Sequence, residues 1–338
     1  MRNYLFFLFL LAIASCAEAA TDTRLRQVAI VDLPGDPGFN QIAMANGQVV
    51  ISRPATNTIE IFSPVKRRVI ARISQIDDPR GIAVDDEGLR VYIALGGSNR
   101  IAVVNSKNWL VEKLIPIAHR PEKLLWVQES KSLYATSLLD RTLSIVDPAT
   151  GAERAVIELD ALPQDMVYDA SRQMVWISLQ DRREVVGIDA SNKIVNRYKL
   201  AASEPTGLVL DSKHRLYVAV RYAVVVLDAE TGAELFRIAA PGGISTLVLD
   251  PAGNLLYAAS GDGSVLAIDL TRNTVDHELP TNVKGYGIAY DPSHKMLFLP
   301  GGREGRSKMV ILTPFAVTEK PPAASAKNPP SQGQTAKK

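Results

Sequence analysis

Cysteine is almost missing from this chain. The single residue, Cys16, falls within the first twenty, and the remaining sequence has none. The body of the protein therefore has no disulfide framework and no thiol nucleophile. Histidine is also scarce, with four scattered copies. No Cys-x-x-Cys-His marks covalent haem, no Gly-x-Ser-x-Gly marks a nucleophile elbow, and no Gly-rich loop opens a helix for phosphate. Beyond the leader no run of 18 apolar residues occurs, so no spanning helix is expected, and no long stretch carries a helical period. Charge of one sign is lacking too. The formal net charge is +2, and residues 319–338 hold four Lys against one Glu, which leaves the body near neutral. A near-neutral body argues against a broad basic coat for nucleic acid.

The first residues read as an export leader. Arg2 and the amino terminus precede an apolar run from Leu5 to Ala14, too short for a permanent span and suited to a signal core. Residues 1–19 are assigned to it. Ile13-Ala14-Ser15-Cys16 resembles the bacterial lipobox, which makes Cys16 the expected lipidated first residue and membrane anchor of the mature chain. Ordinary cleavage after Ala19, at Ala17-Glu18-Ala19, is the alternative. By resemblance to lipoprotein sorting rules, Ala17 rather than Asp after the Cys favours the outer membrane. At the other end, residues 316–338 are rich in Pro, Ala and Lys and bury too little to fold.

Between the ends, one pattern recurs seven times. Pro79-Arg80-Gly81-Ile82-Ala83-Val84-Asp85 is a short apolar strand closed by Asp. Turns then separate it from Val91–Ala94, Ile101–Asn105 and Val111–Ile117. The residues closing the first strand of each copy are Asn46, Asp85, Val127, Asp169, Asp211, Asp250 and Asp291, spaced 39 to 42 apart. A repeat of about 40 residues with four strands predicts an all-β, seven-bladed β-propeller over residues 25–315. The seventh copy supplies only three strands, the last being Met309–Leu312. Gln27–Leu33, ahead of the first copy, is the missing fourth. Its pairing with blade seven would close the ring and remove the open edges. A single propeller of this kind is expected to be monomeric.

The recurring Asp residues invite a metal or acid–base reading. However, Asp85, Asp169, Asp211, Asp250 and Asp291 each open a turn, as do Asp147 and Asp228 between third and fourth strands. Acceptance of turn N–H groups accounts for them. His214 and His294 fall at the same place in their turns and read as repeat ancestry. His119 sits with Arg120, Glu122 and Lys123 in a connection between blades, a position from which it could face a ligand.

The loops between second and third strands carry Arg in most copies: Arg53, Arg100, Arg141, Arg182 with Arg183, Arg221, and Arg303 with Arg306. In a propeller these loops share a face with the connections between blades, which add Arg80, His119, Arg120, Lys123 and Lys284. Acids such as Asp78, Asp140, Asp165 and Asp181 are interleaved. Such a rim suits bidentate contact with carboxylate or phosphate. The closing strand should start, and the third strand of blade seven end, on the opposite face. The anchor and the tail would then leave from there, with the Arg-bearing loops turned away from the membrane.

Leu216-Tyr217-Val218-Ala219, Asp147-Pro148-Ala149-Thr150-Gly151, Pro205–Asp211 and Pro79–Asp85 resemble the YVTN-type repeats of the YncE-like seven-bladed propellers, over roughly residues 25–315. The first copy and Lys123–Val127 depart from that consensus. The resemblance implies an exported propeller that binds rather than catalyses, with nucleic-acid binding known in some members. It supplies no catalytic residue. The leading expectation is a non-catalytic envelope propeller, without metal or cofactor, that binds a protein or an anionic ligand. The alternative is a propeller enzyme of lactonase, hydrolase or quinoprotein type with a site over the channel. Against it, the channel strands Gly81–Val84 and Gly207–Leu210 offer few ligands, and Trp109, Trp126 and Trp176 show no regular docking pattern.

Overall fold

The computed structural model describes residues 21–318, apart from residues 202, 203, 251 and 286. Cys16, the leader and the Lys-rich tail beyond residue 318 lie outside the described residues. Among the described residues, no helix is long and apolar enough to cross a membrane.

The strands form seven four-stranded antiparallel sheets, the blades of a propeller. Blade 1 runs from the channel outward as Ile42–Ala45, Gln48–Arg53, Thr58–Ser63 and Arg68–Ser74. The innermost strands of blades 2 to 7 are Pro79–Asp85, Lys123–Val127, Pro163–Asp169, Leu208–Leu210, Ile244–Asp250 and Ala289–Asp291. Second and third strands are mostly apolar and are buried on both faces, as in Ser132–Ser137 and Thr58–Ser63. Outermost strands alternate instead. In Ala152–Glu158, exposed and half-buried residues alternate along the strand.

The apolar residues gather in seven clusters, each shared by two adjacent blades. One joins blade 7 to blade 1 through Val49, Phe62, Phe298 and Met309, so the ring is closed. A blade that buries its faces only against its neighbours cannot fold as a separate module.

Closure is as the strand count predicted. Thr21–Asp32 pairs antiparallel with Arg306–Thr318 and is the fourth strand of blade 7. A second feature confirms the equivalence. In blades 1 to 6 one residue of the outer strand is skipped in the pairing: Ile70, Glu112, Arg154, Val195, Leu235 and Asp276. The closing strand skips Val28 at the corresponding place. This repeated bulge increases the local twist of each outer strand.

The outer pair of blade 7 is longer than the sequence pattern suggested. Gln27–Leu33 and Met309–Leu312 are only part of it, and residues 21–26 pair with residues 313–318 as an additional ribbon. The ribbon lies against the outer strand of blade 6. There the Asp276 carboxylate accepts from the Thr23 N–H (2.9 Å), His277 Nδ1 accepts from the Leu25 N–H (3.0 Å), and Arg272 pairs with Asp22 (2.7 Å).

The turn Asp residues act as expected. Asp85 accepts from the Gly88 N–H (2.8 Å), Asp147 from Ala149 (2.9 Å) and Asp228 from Thr231 (2.8 Å). The Thr231 N–H and hydroxyl hold the Asp228 carboxyl below its ordinary range. These carboxylates are occupied by their own turns.

Candidate binding face

One end of the ring carries the loops between second and third strands and the connections between blades. The described chain begins and ends at the other, where Thr21 pairs with Thr318. The cations singled out in the sequence gather at the loop-bearing end, but in three different conditions.

Arg53 is a correction. It is buried, with 1% of its side chain exposed, and lies at the seam between blades 7 and 1. Its guanidinium donates to Glu60 (2.8 Å), to the Ser307 hydroxyl (3.0 Å) and to the carbonyls of Pro34 and Asp36, with the Phe39 ring 4.9 Å away. No donor is turned to solvent for a ligand, and its role is to fasten the ring.

A second group is engaged in surface ion pairs. Asp78 accepts from Arg80 Nε (2.8 Å) and Arg120 (2.7 Å), and Arg80 also grips both oxygens of Glu122 (2.9 and 2.8 Å). Burial pushes the Asp78 carboxyl up, yet the two arginines hold it below its ordinary range. Arg141 pairs with Asp181 (3.2 Å), Arg303 with Glu304 (3.5 Å), and His119 Nδ1 lies 3.6 Å from Asp140. The Ser137 hydroxyl, ahead of His119, lowers the Asp140 pKa. Because each of these cations already has an acid, the rim is less basic than the Arg count suggested.

The third group is unspent. Arg100 and Lys284 are exposed, and neither side chain has an ion-pair partner among the described residues. Arg182 reaches only the Asp160 carbonyl (3.4 Å), and Arg221 lies over the exposed Tyr222 ring at 5.6 Å. Lys284 and Arg303 face an open cleft of about 730 Å³ beside Pro37–Phe39. Lys123 belongs to the channel. It was read as part of a connection, but it begins the innermost strand of blade 3.

Strand register defines a ring of equivalent positions at that channel mouth: Gln41, Gly81, Lys123, Asp165, Gly207, Thr246 and Gly287. Lys123 faces Thr136 across its pair, at the same end as the Arg141 loop, so the ring opens on the loop-bearing face. Glycine is required where strands converge. A Cβ on Gly81 would lie 2.5 Å from the Glu122 carbonyl oxygen and 2.8 Å from the Lys123 Cα. Side chains of the ring also tie blades together. Gln41 Oε1 accepts from the Ile82 N–H (3.0 Å), and Asp165 Oδ2 accepts from the Leu208 N–H (3.0 Å), each in the next blade. Sequence reasoning missed Gln41, and it treated Asp165 as a rim acid. Counting back four residues from the residue closing each first strand, which reaches the ring in six of the seven copies, was the available signal.

On the opposite face, Ser171 of blade 4 meets His214 of blade 5, with Oγ and Nδ1 3.2 Å apart. Asp169 bonds Ser171 Oγ (2.6 Å) and the Ser171 and Arg172 N–H groups. The carboxylate serves the turn, the hydroxyl and Arg172 (3.2 Å) and lies 3.9 Å from His214 Nδ1, the same nitrogen that faces the hydroxyl, so the order of an acid–base–nucleophile relay is absent here. Among the described residues no group of three or more His, Cys, Asp or Glu is placed to hold a metal.

A family model, PQQ_2, described as outer membrane protein assembly factor BamB, matches residues 167–294. That span runs from the inner strand of blade 4 into blade 7. The matching model is thus not that of the YVTN-type repeats. No curated protein sequence matches the chain. Among solved structures, Kuenenia stuttgartiensis hydrazine synthase is similar with a TM-score of 0.73 and 15% identity, covering 82% of this chain and 96% of that chain. At that identity the likeness is one of fold. The chain is a seven-bladed propeller that is similar to the BamB type over residues 167–294.

Proposed function

We propose that this protein is an exported, non-catalytic propeller of the cell envelope that binds a protein partner through its loop-bearing face. The observation that carries the reading is the separation of faces. The described chain begins and ends side by side at Thr21 and Thr318, whereas Arg100, Arg182, Arg221 and Lys284 lie at the other end of the ring. An anchor on Cys16 would hold the first face toward a membrane and leave the second free. Cys16 lies five residues before Thr21, a tether of at most about 17 Å. The propeller would therefore sit close to the bilayer. The match to an assembly-factor family supports an envelope protein as the partner class. The YncE-like resemblance supports export and binding. Exposed Tyr222 beside Arg221 is the type of pairing enriched at binding hot spots.

The test is site-specific photocrosslinking in cells. A photoreactive residue is placed at Arg100, Arg182 or Arg221, and in controls at Asn192 or Lys213 in turns of the opposite face. Discrete protein adducts from the first set alone are expected. Adducts from the second set alone, or none from either, would overturn the assignment.

A further inference from the structure

We propose that the channel mouth is a binding site for a small hydroxycarboxylate, with the ligand's carboxylate on Lys123 and its hydroxyl donated to Asp165. The site is separate from the protein-binding rim and does not depend on it.

The cavity has a volume of about 390 Å³. That is near the lower end of the range for small-molecule sites, roughly 300–1,000 Å³. Its lining is mixed. Ile42, Met166, Leu208, Leu247 and Ile288, contributed by five different blades, stand beside polar side chains that include Gln41, Lys123, Gln164, Asp165 and Thr206. Polar groups converging among apolar walls are the general form of a ligand site.

Lys123 is the one cation that lines this cavity. Among the described residues its ammonium group has neither a hydrogen-bond acceptor nor an ion-pair partner. This contrasts with the rim, where Arg80, Arg120 and Arg141 all hold carboxylates. Asp165, in the adjacent blade, is not close enough to pair with Lys123 directly. Its two oxygens each accept one backbone N–H, from Leu208 and Met166 (3.0 Å each), which fixes the carboxyl and leaves acceptor capacity. Burial pushes the Asp165 carboxyl up from its ordinary range, against the opposing effects of Lys123 and the two amides. The two groups line the same cavity without pairing with each other.

The chemistry follows from what each group lacks. A single Lys acts as a point charge with three donors, which suits a carboxylate. A phosphate dianion would need more than one cation and would face the Asp165 carboxyl. An acceptor fixed near the cation asks for a donor on the same ligand, and a hydroxyl supplies it without a second charge. Gly81, Gly207 and Gly287 leave three of the seven ring positions without side chains.

The probe is lactate, with propionate as the analogue that lacks the hydroxyl. Lysines are reductively methylated with ¹³C, which keeps their charge, and followed by NMR. The Lys123 resonance is identified by its loss in Lys123→Met, and the remaining lysine resonances report the native fold of each variant. Lactate should shift the Lys123 signal saturably, and propionate should bind about tenfold more weakly, a difference of about 1.4 kcal/mol. In Asp165→Asn the preference for lactate should disappear. An unmoved Lys123 signal, an equal shift with chloride, or a preference for lactate that survives in Asp165→Asn would overturn the site.

Discussion

Replacing Arg53 by Met should weaken the ring at its seam. Met keeps the apolar stem and removes the guanidinium. Glu60, with 0% of its side chain exposed, would keep only Arg72, itself 41% exposed and 2.7 Å away. The Pro34 and Asp36 carbonyls and the Ser307 hydroxyl would lose their donor. Breaking a buried ion pair by removing one partner costs about 3–5 kcal/mol, because the remaining charge is left uncompensated. For a unit of this size that corresponds to a fall in Tm of roughly 5–8 °C. The double variant Arg53→Met with Glu60→Gln removes the stranded charge and should recover a substantial part of the loss. Thermal and urea unfolding followed by circular dichroism give the stabilities. Proteolysis of residues 34–40, which Arg53 ties down, reports the seam locally. The reasoning fails if Arg53→Met unfolds within about 1 kcal/mol of the parent, or if the double variant is less stable than the single one.

Other consequences are equally direct. His277 accepts from the Leu25 N–H through Nδ1, so its neutral form holds the ribbon. Burial, and secondarily Arg24, lower its pKa from 6.5. The depressed value means that its contribution is complete above about pH 6.5 and fades as pH falls through the folded pKa. Exchange of the Leu25 amide should accelerate in acid relative to a blade-core amide, and unchanged relative protection between neutral and mildly acidic pH would refute this. Gly81→Ala places a Cβ against backbone of blade 3 and should destabilise by about 1–3 kcal/mol in urea unfolding. Deleting residues 21–33 removes the fourth strand of blade 7 and exposes the edge of Arg306–Thr318. Light scattering should then show association, and a monomeric, stable product would count against closure by that strand.

Most of the fold was legible because its causes are local and repeated. Short β-branched runs and a spacing of about 40 residues recur at every copy, and Asp-opened turns at most of them, so errors in one copy are corrected by the others. The closing strand could be found by counting, since six complete copies leave the seventh one strand short. The ribbon of residues 21–26 with 313–318 was not legible, because it belongs to no repeat and is held by Arg272, Asp276 and His277 from a different blade.

For the candidate site the balance is different. The sequence by itself determined which residues ride on the loop-bearing end, because strand order dictates the direction of every loop. Only the tertiary structure decided what each charge does there. Arg53 and Arg100 both flank a loop between second and third strands, Arg53 at the end of one and Arg100 at the start of the other, yet one is buried on Glu60 and the other is exposed. The difference is the Pro34–Phe39 segment, part of the connection from blade 7 into blade 1, which folds over the seam and supplies carbonyls to Arg53. Lys123 and Asp165 are 42 residues apart and become neighbours only because successive blades place equivalent positions around one channel. Composition and spacing specify the strands. The curvature of the closed ring specifies which side chains meet, and that curvature arises from interblade packing that no single repeat contains.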